Sequence, residues 1–222
     1  PESAMRKFAG LARARTLAQK LGYFLRFRPA DFKPRVSLLL GLTDPVCGLN
    51  MGQTAELLAR DWRISREAQD AFALRSHQRA AAARSRHADE ITPVFPRGPA
   101  PAAAVIADNG VRDPQTIEAL TRLRPIFERH HGTVTAGNAS QVTDGAGALF
   151  VMSEAGLARS GLAPSGRLLA HAYAGCDPTR MGLGPVFAVA RAEKLSGLGL
   201  RDAEIIEINE AFATQMLGCL AI

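Results

Sequence analysis

Glu204-Ile205-Ile206-Glu207-Ile208-Asn209-Glu210-Ala211-Phe212 is the stretch from which the fold of this 222-residue chain is read. Ile206 and Ile208 alternate with Glu207, and Ile205 extends the apolar run. This pattern predicts a short, largely buried strand over residues 203–208. Asn209 then stands where an N-cap would stand, and residues 211–222 carry helix formers with no Gly or Pro before Gly218. A strand that hands over directly to a helix puts the turn residue at the carboxyl edge of a sheet, where open α/β folds bind ligands. Asn209 therefore has two readings, a helix cap or a residue facing a ligand.

Three more landmarks precede it in order. They are Asn50-Met51-Gly52-Gln53-Thr54-Ala55-Glu56, then Gly132-Thr133-Val134-Thr135-Ala136-Gly137-Asn138-Ala139-Ser140 with Asp144-Gly145-Ala146 after it, then Asp177-Pro178 with Met181-Gly182 and Gly184-Pro185. With Asn209-Glu210-Ala211-Phe212, this series resembles the thiolases, acyltransferases that make and break 3-ketoacyl-CoA. The resemblance implies a thiolase-like α/β fold, represented by the mostly helical loop domain and the first part of the C-terminal βαβαβ half.

Length and composition agree with a packed core. Hydrophobic residues make up 47% of the chain, enough for a sizeable core. No apolar run approaches the roughly 18 residues of a membrane span. Pro1 opens the chain without a signal-peptide pattern, which argues against secretion. Cys47, Cys176 and Cys219 have neither paired nor metal-like spacing, so a reducing compartment is the simpler inference. The expected location is cytoplasmic, with the mitochondrial matrix as alternative.

The net charge of +6 is unevenly spread. From Ser3 to Ala30 there is no acid, while Arg6, Lys7, Arg13, Arg15, Lys20, Arg26 and Arg28 are basic. Met5, Phe8, Leu11, Ala18, Leu21 and Leu25 fall near helical spacing, so a basic amphipathic helix is expected. Such a helix lies on an anionic membrane, docks on a partner, or covers its own domain. Thiolases of long-chain fatty-acid oxidation are similar in carrying an enlarged segment here, which in some relatives meets a membrane or a partner subunit. No helix-turn-helix, zinc finger or RNA-stacking motif accompanies the charge, so nucleic acid is not an expected partner.

Elsewhere the pattern predicts a helix from Met51 to Trp62 and a second one capped by Ser65. Further helices are expected over 153–159 and 186–195, and strands over 90–95, 148–152 and 167–174. Pro96 to Ala104 reads as a Pro/Ala-rich surface loop. Trp62, Phe72 and Leu74 are expected in the core, and His77 and His87 as solvated helix residues without metal-ligand spacing. Gly145-Ala146-Gly147 lacks the third glycine of a dinucleotide fingerprint and reads instead as small residues that let a helix pack closely on a sheet. The change of texture after Ser140 sets the expected division: 1–140 is the loop domain, which binds CoA, and 141–222 begins the C-terminal α/β domain.

A thiolase needs a nucleophilic thiolate, a base to raise it, a second acid/base, and donors for the thioester oxygen. Pro1-Glu2-Ser3-Ala4-Met5 resembles the segment that follows the family's nucleophilic Cys, and the family's Gly-His-Pro and second catalytic Cys follow the Asn-Glu-Ala-Phe helix. None of these three is expected among these residues, so the 222 residues alone are expected to be inactive. The resemblance makes Asn209 the catalytic residue that remains, holding a water that donates to the thioester oxygen. It puts Leu42, Met51, Leu123, Phe127, Ala136, Ser140, Met181, Ala211 and Phe212 around the acyl chain and pantetheine. It puts Arg112 near the CoA nucleotide, where a guanidinium suits phosphate geometry. Asn50 stands where many thiolases have His, and Ala119 where many have a CoA-contacting Ser.

The expected function is acyl transfer between acyl-CoA and CoA, in the direction of 3-ketoacyl-CoA thiolysis or of its reverse, Claisen condensation. The alternative is a non-catalytic protein that binds acyl-CoA or lipid. CoA and acyl-CoA enter as substrates, with no further cofactor and no metal. Implied partners are a second copy in a homodimer or homotetramer, a hydratase/dehydrogenase subunit in a hetero-oligomer, or a membrane met through Ser3 to Ala30.

Overall fold

The computed structural model describes residues 2–34, 36–96 and 103–222; residues 97–102 of the expected surface loop lie outside them. The chain forms two compact units, Pro1–Asn50 and Met51–Ile222.

In the first unit the basic stretch is two helices rather than one, α1 (Glu2–Arg13) and α2 (Leu17–Phe24). Thr16 divides them. Its hydroxyl accepts from the Gln19 N–H at 3.2 Å while the Gln19 side chain accepts from the Thr16 N–H, a reciprocal cap that starts a new helix. A short 3-10 turn, Pro29–Phe32, then presents Asp31 to α1. Asp31 is 5% exposed and accepts from Ser3 Oγ (2.7 Å), the Arg28 N–H (2.7 Å) and Lys7 Nζ. Phe8, Phe24, Phe27 and Phe32 join the turn to both helices through ring contacts, the shortest 4.8 Å between Phe8 and Phe27. A one-turn helix, α3 (Ser37–Gly41), follows within the apolar run at 36–42.

The second unit is built around α4 (Met51–Asp61), α5 (Arg66–Ala82) and a late helix, Ala213–Leu220. The Ser65 hydroxyl caps α5 by accepting from the Ala68 N–H, as the sequence predicts. α6 (Arg84–Glu90) and α7 (Ile117–Thr121) lead to the loop at 132–140. α8 (Glu154–Ser160), a 3-10 segment (Pro178–Leu183) and α9 (Gly184–Ser196) come next, and Ala213–Leu220 is α10. α4 packs on the 3-10 segment and on α10, and α5 on α7 and α10. Leu58, Leu120 and Val134 are almost fully buried, and Phe72, Ala213 and Met216 form a cluster joined by Ile208 and Leu217. Each such aliphatic side chain contributes about 1.5–3 kcal/mol relative to exposure. Trp62 and Leu74 are only half-buried, so of the three expected core residues Phe72 alone is inside.

The expected strands are not formed as ladders. Among the described residues pairing is limited to isolated antiparallel bridges, Thr43 with Asn50, Val94 with Val105 and Ala139 with Phe212. The 90–95 segment pairs only through the single bridge at Val94, residues 148–152, 167–174 and 203–208 lack a sheet neighbour, and Leu149, Phe150 and Val151 are 92%, 97% and 85% exposed. Alternating apolar residues favour a strand, but only a second strand satisfies its main-chain groups. Gly145 and Gly147 likewise meet open space where close packing was expected.

Candidate functional site

Three of the four sequence landmarks are joined in the second unit by polar contacts, and the fourth, around Pro178–Leu183, packs on α4 and α10. Glu56 is 3% exposed, and its carboxylate accepts from the N–H groups of Thr133 (2.9 Å) and Val134 (2.9 Å) and from the Thr133 hydroxyl (3.1 Å). Asn138, also buried, accepts from the Thr135 N–H at 2.8 Å and donates to Asp70 at 3.0 Å and to the Thr133 carbonyl at 3.0 Å. Asp70 in turn holds Arg66 at 2.8 Å, and the Arg66 guanidinium donates to the Leu120 and Leu123 carbonyls where α7 ends. Two helices therefore grip the 132–140 loop from below with charged groups, which make the stronger hydrogen bonds.

The loop in turn grips the Asn-Glu-Ala-Phe segment. The Ser140 N–H donates to the Ala211 carbonyl and the Ala213 N–H to the Asn138 carbonyl, both at 2.9 Å. Phe212 is thereby drawn into an extended conformation (φ −146°, ψ 143°) and becomes the N-cap residue of α10. The helix starts at Ala213 instead of Ala211, and Asn209 does not cap it. Phe127 meets Phe212 edge-on at 6.3 Å, and any Cβ on Gly52 would run into the Phe127 ring. That close approach is a physical reason for glycine in the first landmark.

Above this scaffold lies a cleft of about 720 Å³. Arg112, Leu123, Ala136, Ser140 and Asn209 all line it. Asn209 is exposed, and its side chain has no hydrogen-bond partner among the described residues, so its amide is available to a ligand. Phe127, Ala211 and Phe212 do not line the cleft: the two rings meet each other, and the Ala211 carbonyl accepts from the Ser140 N–H. Met51 opens α4 and Met181 lies in the Pro178–Leu183 turn packed on α4; both are 38% exposed and neither lines the cleft. Leu42 belongs to the first unit, where it follows α3.

Other cleft residues were not singled out by the sequence. Phe72, Ala73, Ser76 and His77 share one face of α5 and line it together. Their spacing was a usable signal. His77, expected to be solvated, is half-buried, and its Nδ1 accepts from the Arg112 N–H at 3.2 Å. Burial first, and the Arg112 charge second, hold the His77 imidazole below its ordinary value. Ser76 Oγ donates to Glu210 at 2.5 Å.

The cysteines lie elsewhere. The Cys219 thiol donates to the Gly182 carbonyl at 3.2 Å, and burial pushes it up from the ordinary thiol range, the opposite of what a nucleophile needs. The Cys47 N–H donates to Asp44 in a tight turn. Among the described residues no group of three His, Cys, Asp or Glu side chains has the arrangement of a metal site. No helix is long and apolar enough to cross a membrane among them.

Comparison with known proteins bears on the same segments. The family model for the thiolase N-terminal domain matches residues 28–155, and that for the C-terminal domain matches 162–222. The chain belongs to the thiolase family. Among thiolases it is 48% identical over 206 residues to a 3-ketoacyl-CoA thiolase of Shigella dysenteriae, covering 91% of this chain and 52% of that protein. It is 45% identical over 188 residues to an acetyl-CoA acetyltransferase of Shinella zoogloeoides, covering 83% and 48%. The chain thus spans about half the length of the curated relatives it matches. Among solved structures, the Bacillus anthracis acetyl-CoA acetyltransferase is similar with a TM-score of 0.81 at 38% identity, over 84% of this chain and 48% of that one. A human mitochondrial 3-ketoacyl-CoA thiolase in complex with CoA is similar with a TM-score of 0.77 at 39% identity, over 87% and 50%. The fold is the thiolase-like α/β fold, although ladder pairing is confined to single bridges among the residues described here.

Proposed function

We propose that this chain supplies the CoA-binding cleft and the oxyanion-side asparagine of a thiolase that transfers acyl groups between acyl-CoA and CoA. The observation that carries the reading is that Arg112 and Asn209, nearly a hundred residues apart in sequence, line one cleft. Arg112 meets the phosphate-bearing end of CoA, Leu123 and Ala136 border pantetheine, and Asn209 orders a water at the thioester. By family resemblance alone, Met51 and Met181 also stand around the acyl chain and pantetheine. When a thiolate attacks the 3-keto carbon, the C2–C3 bond breaks and its electron pair passes to the acetyl thioester as an enolate. A donor held by Asn209 stabilises the oxygen that receives this charge.

The alternative, a protein that binds acyl-CoA without turning it over, is the weaker reading, since the matched relatives are named acetyl-CoA acetyltransferase and 3-ketoacyl-CoA thiolase. The family reading also extends to a homodimer or homotetramer, or to a hetero-oligomer with a hydratase/dehydrogenase subunit, in cytoplasm or mitochondrial matrix. The division into a loop domain over 1–140 and a C-terminal α/β domain from 141 is part of it. A membrane-facing role for Ser3 to Ala30 is supported by the exposure of Leu17, Phe24 and Leu25 on α2 and just after it.

Calorimetric titration with CoA tests the cleft. The 222-residue chain is expected to bind CoA and to leave acetoacetyl-CoA uncleaved. Arg112→Ala is expected to weaken binding roughly ten-fold or more, as for a hydrogen bond to a charged group. Absence of CoA binding, or an Arg112→Ala variant that binds as well as the parent, contradicts the reading.

A further inference from the structure

Ser76 and His77 are consecutive residues of α5, yet each holds a different wall of the cleft. Ser76 Oγ donates to Glu210, the neighbour of Asn209, while His77 Nδ1 accepts from the Arg112 N–H at 3.2 Å. An imidazole that accepts at Nδ1 carries its proton on Nε2 when neutral, so the same contact fixes the tautomer and leaves one ring donor over. Arg112, Glu207 and Glu210 are the charged residues lining this cleft. The Arg112 guanidinium has no carboxylate partner among the described residues and is available to an anion. The 108–112 segment that carries it contains Asn109 and Gly110 and belongs to no helix. Its position depends on such tertiary contacts.

We propose that His77 is a positioning residue of the cleft: through Nδ1 it fixes the Arg112 arm, and through its Nε2–H it adds a second donor for the phosphate-bearing end of a CoA ligand. The proposal rests on the CoA reading above. A protonated His77 loses the acceptor and places a second positive charge beside Arg112. The neutral ring is the form that holds the arm. Glutamine can accept from the same N–H with its side-chain oxygen and donate with its nitrogen, whereas phenylalanine fills the space and does neither.

NMR-monitored titrations with CoA, and separately with pantetheine, which lacks the nucleotide and its phosphates, test this on the parent chain, His77→Phe, His77→Gln and Arg112→Ala. His77→Phe is expected to weaken CoA about five- to ten-fold, the scale of one hydrogen bond. Its pantetheine affinity is expected to stay at the parent value, and His77→Gln to recover most of the CoA affinity. The proposal is overturned if His77→Phe binds CoA like the parent while Arg112→Ala is impaired, a result that leaves the CoA reading standing. It is overturned too if His77→Phe loses CoA and pantetheine alike and His77→Gln does not recover, since that marks general damage to α5. A parent chain that binds neither probe overturns both readings together.

Discussion

Glu56 uses both carboxylate oxygens on the loop it faces, 77 and 78 residues further along the chain. Its charge is almost fully buried, so removing it leaves two main-chain N–H groups and a hydroxyl without an acceptor. Glu56→Ala is expected to cost on the order of 3 kcal/mol, because hydrogen bonds to charged groups are worth about 1.5–3 kcal/mol each and their loss strands the donors. Urea unfolding monitored at Trp62 measures this; an unchanged midpoint contradicts the account. The sequence placed Glu56 in a landmark but could not say what it does, since its partners are remote. Asn209 shows the converse. Local spacing offered a cap, and tertiary bonds from Asn138 and Ser140 displaced the helix start to Ala213, leaving the asparagine in the cleft.

Local caps set several element boundaries, of which only Ser65 was read as a cap from the sequence. Ser65, Thr116 and Ser153 all accept from the N–H three residues on, and α5, α7 and α8 begin after them. Thr16 was an equally local signal that charge and apolar spacing concealed, and it divides the basic stretch into α1 and α2. Asp31 fastens that hairpin. Lys7 first, then the Arg28 N–H and the Ser3 hydroxyl, hold its carboxyl well below the usual carboxylate range. With the folded value below the unfolded one, the unfolded chain binds more protons in acid. The stabilisation is complete above about pH 4 and is lost as pH falls toward the folded value. Asp31→Asn is therefore expected to lower the thermal midpoint of the first unit at pH 7 and to differ progressively less from the parent as pH falls below about 4. Circular dichroism melts across that range check it. A gap that persists undiminished at pH 2 contradicts the assignment.

For the whole molecule, helices and the order of landmarks were legible, while strand pairing was not. The apolar segments around Leu149, Leu168 and Ile205 are exposed. Their alternation carries a strand preference that local sequence can state, but a ladder is a property of two segments. The cleft was half legible. Arg112, Ser140 and Asn209 came from resemblance to thiolases, whereas Ser76 and His77 required the face that α5 presents. The central claim, that Asn209 serves chemistry rather than helix structure, is tested most directly by Asn209→Ala in the full-length protein that carries this chain, with thiolysis and thermal unfolding measured on the same preparation. The account predicts a loss of turnover on the order of 10²–10³ with the unfolding midpoint nearly unchanged. Turnover largely intact with about 1 kcal/mol of stability lost is the signature of a cap, and it would contradict the claim.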